Sequence, residues 1–237
     1  MSKQRDPFDF WYAVNNTEVK LMPRRHLETF GATILNYHLI TELMDSVGQV
    51  RIRAGRLQAS KPQIITPEAY SQTALEGFGE EARRYVDWLK EHETDIRILQ
   101  YGYRLKQESF SEHTVSDSVE AVTERVKREV EASDDMLSAV VVGVDDPWDV
   151  CIVRLFWEMI RKSAGPNIRE LQKRHLFDDD GGVPRGVRND VESAFQAANR
   201  NPDRIPELGR KLHALDLFEE YEDRFFALVK AHRKPSS

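Results

Sequence analysis

The stretch Val50-Arg51-Ile52-Arg53-Ala54-Gly55-Arg56-Leu57-Gln58-Ala59 decides the fold. Two strands joined by a turn at Ala54-Gly55 pair Arg53 with Arg56, Ile52 with Leu57 and Val50 with Ala59. Opposed residues of an antiparallel pair share a face, so the apolar set lies on one side and Arg51, Arg53, Arg56 and Gln58 on the other. Alanine is not the Asn or Asp preferred at the first turn position, which leaves the turn type open.

Neighbouring stretches repeat the division. From Ile34 to Met44, Leu35, Tyr37, Leu39 and Leu43 alternate with Asn36, His38 and Glu42, although the leucines also fit one helix face. From Ile96 to Lys106, Leu99, Tyr101, Tyr103 and Leu105 alternate with Gln100, Gly102, Arg104 and Lys106. Glu18 to Met22 adds a short strand. The expectation is an antiparallel sheet of about four strands or more with one face buried by helices and one face polar.

Helices interrupt and follow this sheet. Thr66 and Pro67 start one that Gly77 ends, and Phe78, Ala82, Tyr85, Val86 and Leu89 form the stripe of the next. Beyond Ser116 the stripe Val119, Val122, Val126 and Val130 marks an amphipathic helix. Asp146 and Pro147 open a central apolar helix that Gly165 stops, and Pro166 starts another. Val187, Val191, Ala194 and Ala198 define one more, and a final helix begins at Asp216 with a capping box to Glu219. The chain therefore reads as α+β: residues 1–115 an antiparallel sheet with a helical insertion at about 66–92, and residues 116–234 a helical region packed on the sheet as one unit.

Composition narrows the function classes. The 237 residues are 40% hydrophobic and 31% charged, near the globular norm. A net charge of -6 gives no global attraction for polyanions, so an anion site has to be local. The single cysteine, Cys151, fits a reducing compartment. Met1 to Phe10 lacks the pattern of a secretory signal and no run approaches membrane-spanning length, so the expectation is a cytoplasmic protein without membrane contact.

Four bases, Arg51, Arg53, Arg56 and Lys61, fall between Ser46 and Pro67 with no acid among them. With Arg104 and the neighbouring His38 they make a local basic face able to hold phosphate or carboxylate. The plainer reading is a face charged for solubility. Tyr101 and Tyr103 alternate onto the buried side, which counts against a base-stacking platform. His38 and Glu42 are the acid–base candidates, against the plainer reading of a surface pair, since nothing nearby supplies a nucleophile. The acidic loop Asp178-Asp179-Asp180-Gly181-Gly182 fails the calcium-loop pattern, because Asn189 falls where the ligating Glu belongs. The histidines show no metal spacing, and neither metal nor cofactor is expected. Phe218, Tyr221, Phe225 and Phe226 cover more of the final helix than one internal contact needs, so part of that surface is a candidate contact with a second chain.

The leading expectation is a non-enzymatic binding or assembly protein with a protein partner or a second copy of itself. The alternatives are a nucleic-acid or phosphate-binding protein using Arg51, Arg53, Arg56, Lys61 and Arg104, and a hydrolase or phosphate-ester enzyme using His38 and Glu42.

Overall fold

A computed structural model of the chain describes residues 9–46, 48–60, 63–64, 75–92, 101–102 and 104–232. Contacts group these into two compact units, one of residues 9–60, 75–92 and 104–167 and one of residues 63–64, 101–102 and 168–232.

The first unit is built on a six-stranded sheet. Its strands are β1 (Glu18–Leu21), β2 (Thr33–Glu42), β3 (Gln49–Ala59), β5 (Leu75–Glu76), β7 (Leu105–Ser116) and β8 (Ser138–Gly143), in the order β1-β8-β2-β3-β7-β5. Helices α1 (Phe10–Asn15), α2 (Glu80–His92), α3 (Val119–Ala132) and the first part of α4 (Trp148–Lys173) belong to the same unit. The α+β class holds, but the sheet is mixed: β8 runs parallel to β2, and β5 parallel to β7.

The expected hairpin at Val50 to Ala59 is a single strand. It pairs antiparallel with β2 from Thr33↔Ala59 to Glu42↔Val50 and with β7 from Gln49↔Ser116 to Ala59↔Leu105. Gly55 makes no turn; it lies mid-strand between Tyr37 on β2 and Phe110 on β7. A Cβ there would sit 2.5 Å from the Tyr37 hydroxyl and 2.7 Å from Phe110 Cβ. The glycine is a notch into which two aromatic side chains close from the adjacent strands.

Nor is the sheet one-sided. One face carries Leu35, Tyr37, Leu39, Leu57, Ala139 and Val141, all fully buried. The first turns of α4 lie here, with Cys151 and Leu39 both closing on Gly143. Burial raises the pKa of the Cys151 thiol, as expected of a packing residue rather than a thiolate. The other face carries Ile40, Val50, Ile52 and Val140, which α3 covers with Val122, Val126 and Val130. The α3 stripe is therefore the one expected from spacing, and its N-cap is Ser118, whose hydroxyl accepts from the Ala121 N–H at 3.2 Å.

Strand β8 falls in the part of the sequence read as wholly helical. Ser138 to Val141 is buried throughout and lies between β1 and β2, so the segment reads as a continuous apolar run with no alternation. The central helix does not stop at Gly165 either; α4 continues through Pro166 to Lys173. Side chains on either side of that proline tie the helix to the loop before β2: Lys162 Nζ donates to the Pro23 carbonyl at 2.8 Å, Ser163 Oγ accepts from the Leu27 N–H at 3.0 Å, and Asn167 Nδ2 donates to the Leu27 carbonyl at 3.0 Å. These bonds hold the turn where proline removes an internal one. The helix expected from Thr66 and most of the strand from Ile96 lie outside the described residues; Gly77, expected as a helix stop, follows β5 with a positive φ of 84°.

In the second unit β4 (Gln63–Ile64) pairs antiparallel with β6 (Tyr101–Gly102), and α5 (Arg185–Arg200), α6 (Ile205–Ala214) and α7 (Phe218–His232) pack around Val187, Val191, Phe195, Leu208 and Leu212. No helix among the described residues is long and apolar enough to cross a membrane.

Replacing Gly55 by Ala forces Tyr37 or Phe110 out of the notch and lowers folding stability by about 2 kcal/mol, within the usual cost of overpacking. Urea unfolding followed by tryptophan fluorescence reads this directly; an unchanged midpoint would mean the aromatics do not close over the glycine.

Candidate functional site

Helix α3 covers only part of its face of the sheet. Past its end at Ala132 the strands expose Asn36 and His38 of β2, Arg56 of β3 and Ser111 of β7, where further along they present Ile40, Val50 and Ile52 to the helix. With Glu129 and Ser133 at the helix end, and Asp135 and Ser138 beyond it, these residues line an open groove of about 650 Å³.

Asp135 organises one wall. Its carboxylate accepts from the Leu137 N–H at 2.8 Å, from Ser138 Oγ at 2.7 Å and from Asn36 Nδ2 at 2.5 Å. Burial alone would raise its pKa, but these hydrogen bonds and the nearby His38 outweigh it and hold the carboxyl below its ordinary value. His38 behaves in the opposite way. Desolvation lowers its pKa from the ordinary 6.5, against the pull of Glu129 and then Asp135, so the imidazole is predominantly neutral at pH 7. The unfolded chain therefore takes up this proton first: His38 contributes no pH dependence well above 6.5 and costs stability as pH falls below it.

The groove is electronegative on the α3 side. The last turn of α3 carries Glu129 and Glu131 with no base, so their charges add to the negative end of the helix dipole. Arg56 lies on the other side, where its Nε is 3.5 Å from Glu108.

The residues expected to form a basic face separate. Arg51 and Arg53 project from the opposite face to Arg56, as alternation along one strand requires. Asp145 neutralises both, at 2.8 Å from Arg51 Nη1 and 2.8 Å from Arg53 Nη1. Arg53 is buried, and Glu112 at 3.2 Å, Thr41 Oγ1 at 3.4 Å and the Trp148 ring at 5.1 Å complete its surroundings. Arg104 is exposed immediately before β7, and Lys61 lies outside the described residues. Glu42 is exposed four residues along β2 from His38 and is not part of the groove lining. Phe218, Tyr221 and Phe225 pack on the α5–α6 cluster, whereas Phe226 is 52% exposed. Among the described residues no group of three or more His, Cys, Asp or Glu is placed to hold a metal ion.

His38 and Arg56 were legible as candidates. Glu129, Asp135 and Ser138 were not, because a helix end and a turn bring them to the groove from residues about a hundred positions away, as the Asn36–Asp135 separation of 99 illustrates. No family model, curated protein or solved structure is significantly similar to the chain, so its chemistry rests on this geometry.

Asp145→Ala leaves the buried Arg53 guanidinium with a single half-exposed carboxylate and costs about 3–5 kcal/mol of stability, measurable by chemical denaturation. A loss below about 1 kcal/mol would mark the pair as an ordinary surface bridge. Glu129→Gln removes the larger of the two charges that favour imidazolium, so an NMR titration of the His38 ring gives a pKa lower than in the parent; an unchanged or higher value would place Glu129 away from the ring.

Proposed function

We propose that the chain is a non-enzymatic binding protein that takes a small polar molecule bearing a cationic group, such as an alkylammonium, into the groove at the end of α3. The observation that carries this reading is the charge of that wall: Glu129 in the last turn of α3 and Asp135 just beyond it lie beside a His38 that is mostly neutral at pH 7. Serines 111, 133 and 138 and Asn36 add hydrogen-bonding groups around it, and Arg56 offers a counter-charge for a ligand with an acidic end. The anion-binding alternative loses its motive, since Arg51 and Arg53 face away from the groove and are satisfied by Asp145.

His38 on the groove lining favours a second reading, in which the neutral imidazole accepts a proton from the bound molecule. His38→Gln separates the two: it preserves ligand binding under the first reading and abolishes turnover under the second.

Thermal unfolding in the presence of putrescine, agmatine, glutarate or inorganic phosphate tests the proposal. At about ten times Kd, the two amines raise the midpoint by about 3 °C in the parent and by much less in Glu129→Gln, while glutarate and phosphate leave it unchanged. Stabilisation by phosphate alone, or by none of the four, would overturn it.

A further inference from the structure

The two outer edges of the six-stranded sheet are built differently. β1 is short, at four residues, carries Lys20 and has an irregular register between Val19 and Leu21, all of which discourage pairing with another strand. β7 has one register shift, between Gln107 and Phe110, and none of these devices beyond it from Phe110 to Ser116. That stretch pairs continuously with β3 on its inner side and contains no proline, glycine or lysine. On its outer side, the only strand partner among the described residues is β5, and it reaches only Leu105 and Lys106. Residues 109–114 are exposed. The carboxylates near this edge reach inward across the sheet, Glu108 to Arg56 at 3.5 Å and Glu112 to Arg53 at 3.2 Å, but Arg53 is shared with Asp145 and the Glu112 side chain stays half exposed, so it still faces a cation arriving at the edge. Phe110 stays 42% exposed while its ring meets Trp148 at 5.0 Å, which leaves an apolar step beside the edge.

We infer that the outer edge of β7 takes up an extended peptide segment of another protein as an added antiparallel strand. A row of outward N–H and C=O groups is complemented by another extended backbone, and side-chain steps beside it supply selectivity. A second copy of the chain fits poorly. Two-fold antiparallel pairing sets residues of equal parity opposite one another, so Phe110 can face only Glu108, Phe110, Glu112, Thr114 or Ser116. Its one apolar partner is Phe110 itself, and that register also opposes Glu108 to Glu112, two like charges. The seven residues Phe110–Ser116 are also far fewer than the roughly 20–30 per side of a stable dimer interface. The matching segment is free of proline and places an apolar residue opposite Phe110 and a Lys or Arg opposite Glu112. In antiparallel pairing the basic residue therefore precedes the apolar one by two positions.

Random twelve-residue peptides displayed on phage and selected on the full chain test the inference. The enriched sequences carry Lys or Arg two positions before an apolar residue, with no proline between. N-methylation of such a peptide at alternate residues weakens binding by about tenfold per position, while methylation at the intervening residues is tolerated, a signature of strand addition independent of any protein variant. Phe110→Thr, which keeps a strand-forming residue, weakens the parent peptide by a similar factor. Failure to enrich any peptide, methylation sensitivity without alternation, or a chain that sediments as a dimer through this edge would each overturn it.

Discussion

Two guanidinium groups on a buried sheet face are tolerable because Asp145 meets both of them. Arg53 is almost completely enclosed, and an unpaired charge in that position would outweigh most of what the neighbouring apolar residues contribute. The carboxylate comes from the junction between β8 and α4, 94 residues beyond Arg51, so the ion pair fixes that junction over the middle of β3. It also puts Trp148, the first residue of α4, beside Arg53 and Phe110, which starts the helix on the face that it covers.

Val50 to Ala59 has the pattern of a hairpin for a physical reason. Along Val50 to Ala59 the buried apolar residues change parity: Val50 and Ile52 before Gly55, Leu57 and Ala59 after it. A hairpin explains such a reversal by folding the chain back. A straight strand explains it equally well if its first half turns its apolar residues toward one covered face and its second half toward the other, and that is the arrangement found. β2 has the same signature, with Leu35, Tyr37 and Leu39 buried on one face and Ile40 on the other. Alternation within one strand cannot separate the two cases; pairing with β2 on one side and β7 on the other does. The helical stripes were legible because each is a local property. Val122, Val126 and Val130 meet the sheet whichever strands compose it.

The same stagger creates the groove. Where α3 lies on the sheet, the strand residues beneath it are valine and isoleucine; where it has ended, they are Asn36, His38 and Arg56. Strand polarity thus follows the edge of the helix. The polar half could be read from the sequence, but not its partners, since Glu129 and Asp135 reach it only through the direction in which α3 ends. The arginines of β3 are divided by strand alternation, and of the three Arg56 alone lies on the groove side.

Gly55 connects the interior to the edge. Without a side chain it lets the buried Tyr37 ring and Phe110 approach across β3, and Gln107 Nε2 donates to the Tyr37 hydroxyl at 3.3 Å from the far strand. Burial pushes the Tyr37 pKa up to about 12, so the phenol stays protonated and the contact is insensitive to pH near neutrality. Phe110 serves two environments at once: its Cβ fills the notch over the glycine, while its ring, on the outermost long strand, is covered by Trp148 on one side and remains partly open on the other. The exposed aromatic step at the sheet edge is therefore a consequence of how the centre is packed, because the residue that closes the notch has no further strand beside it among the described residues.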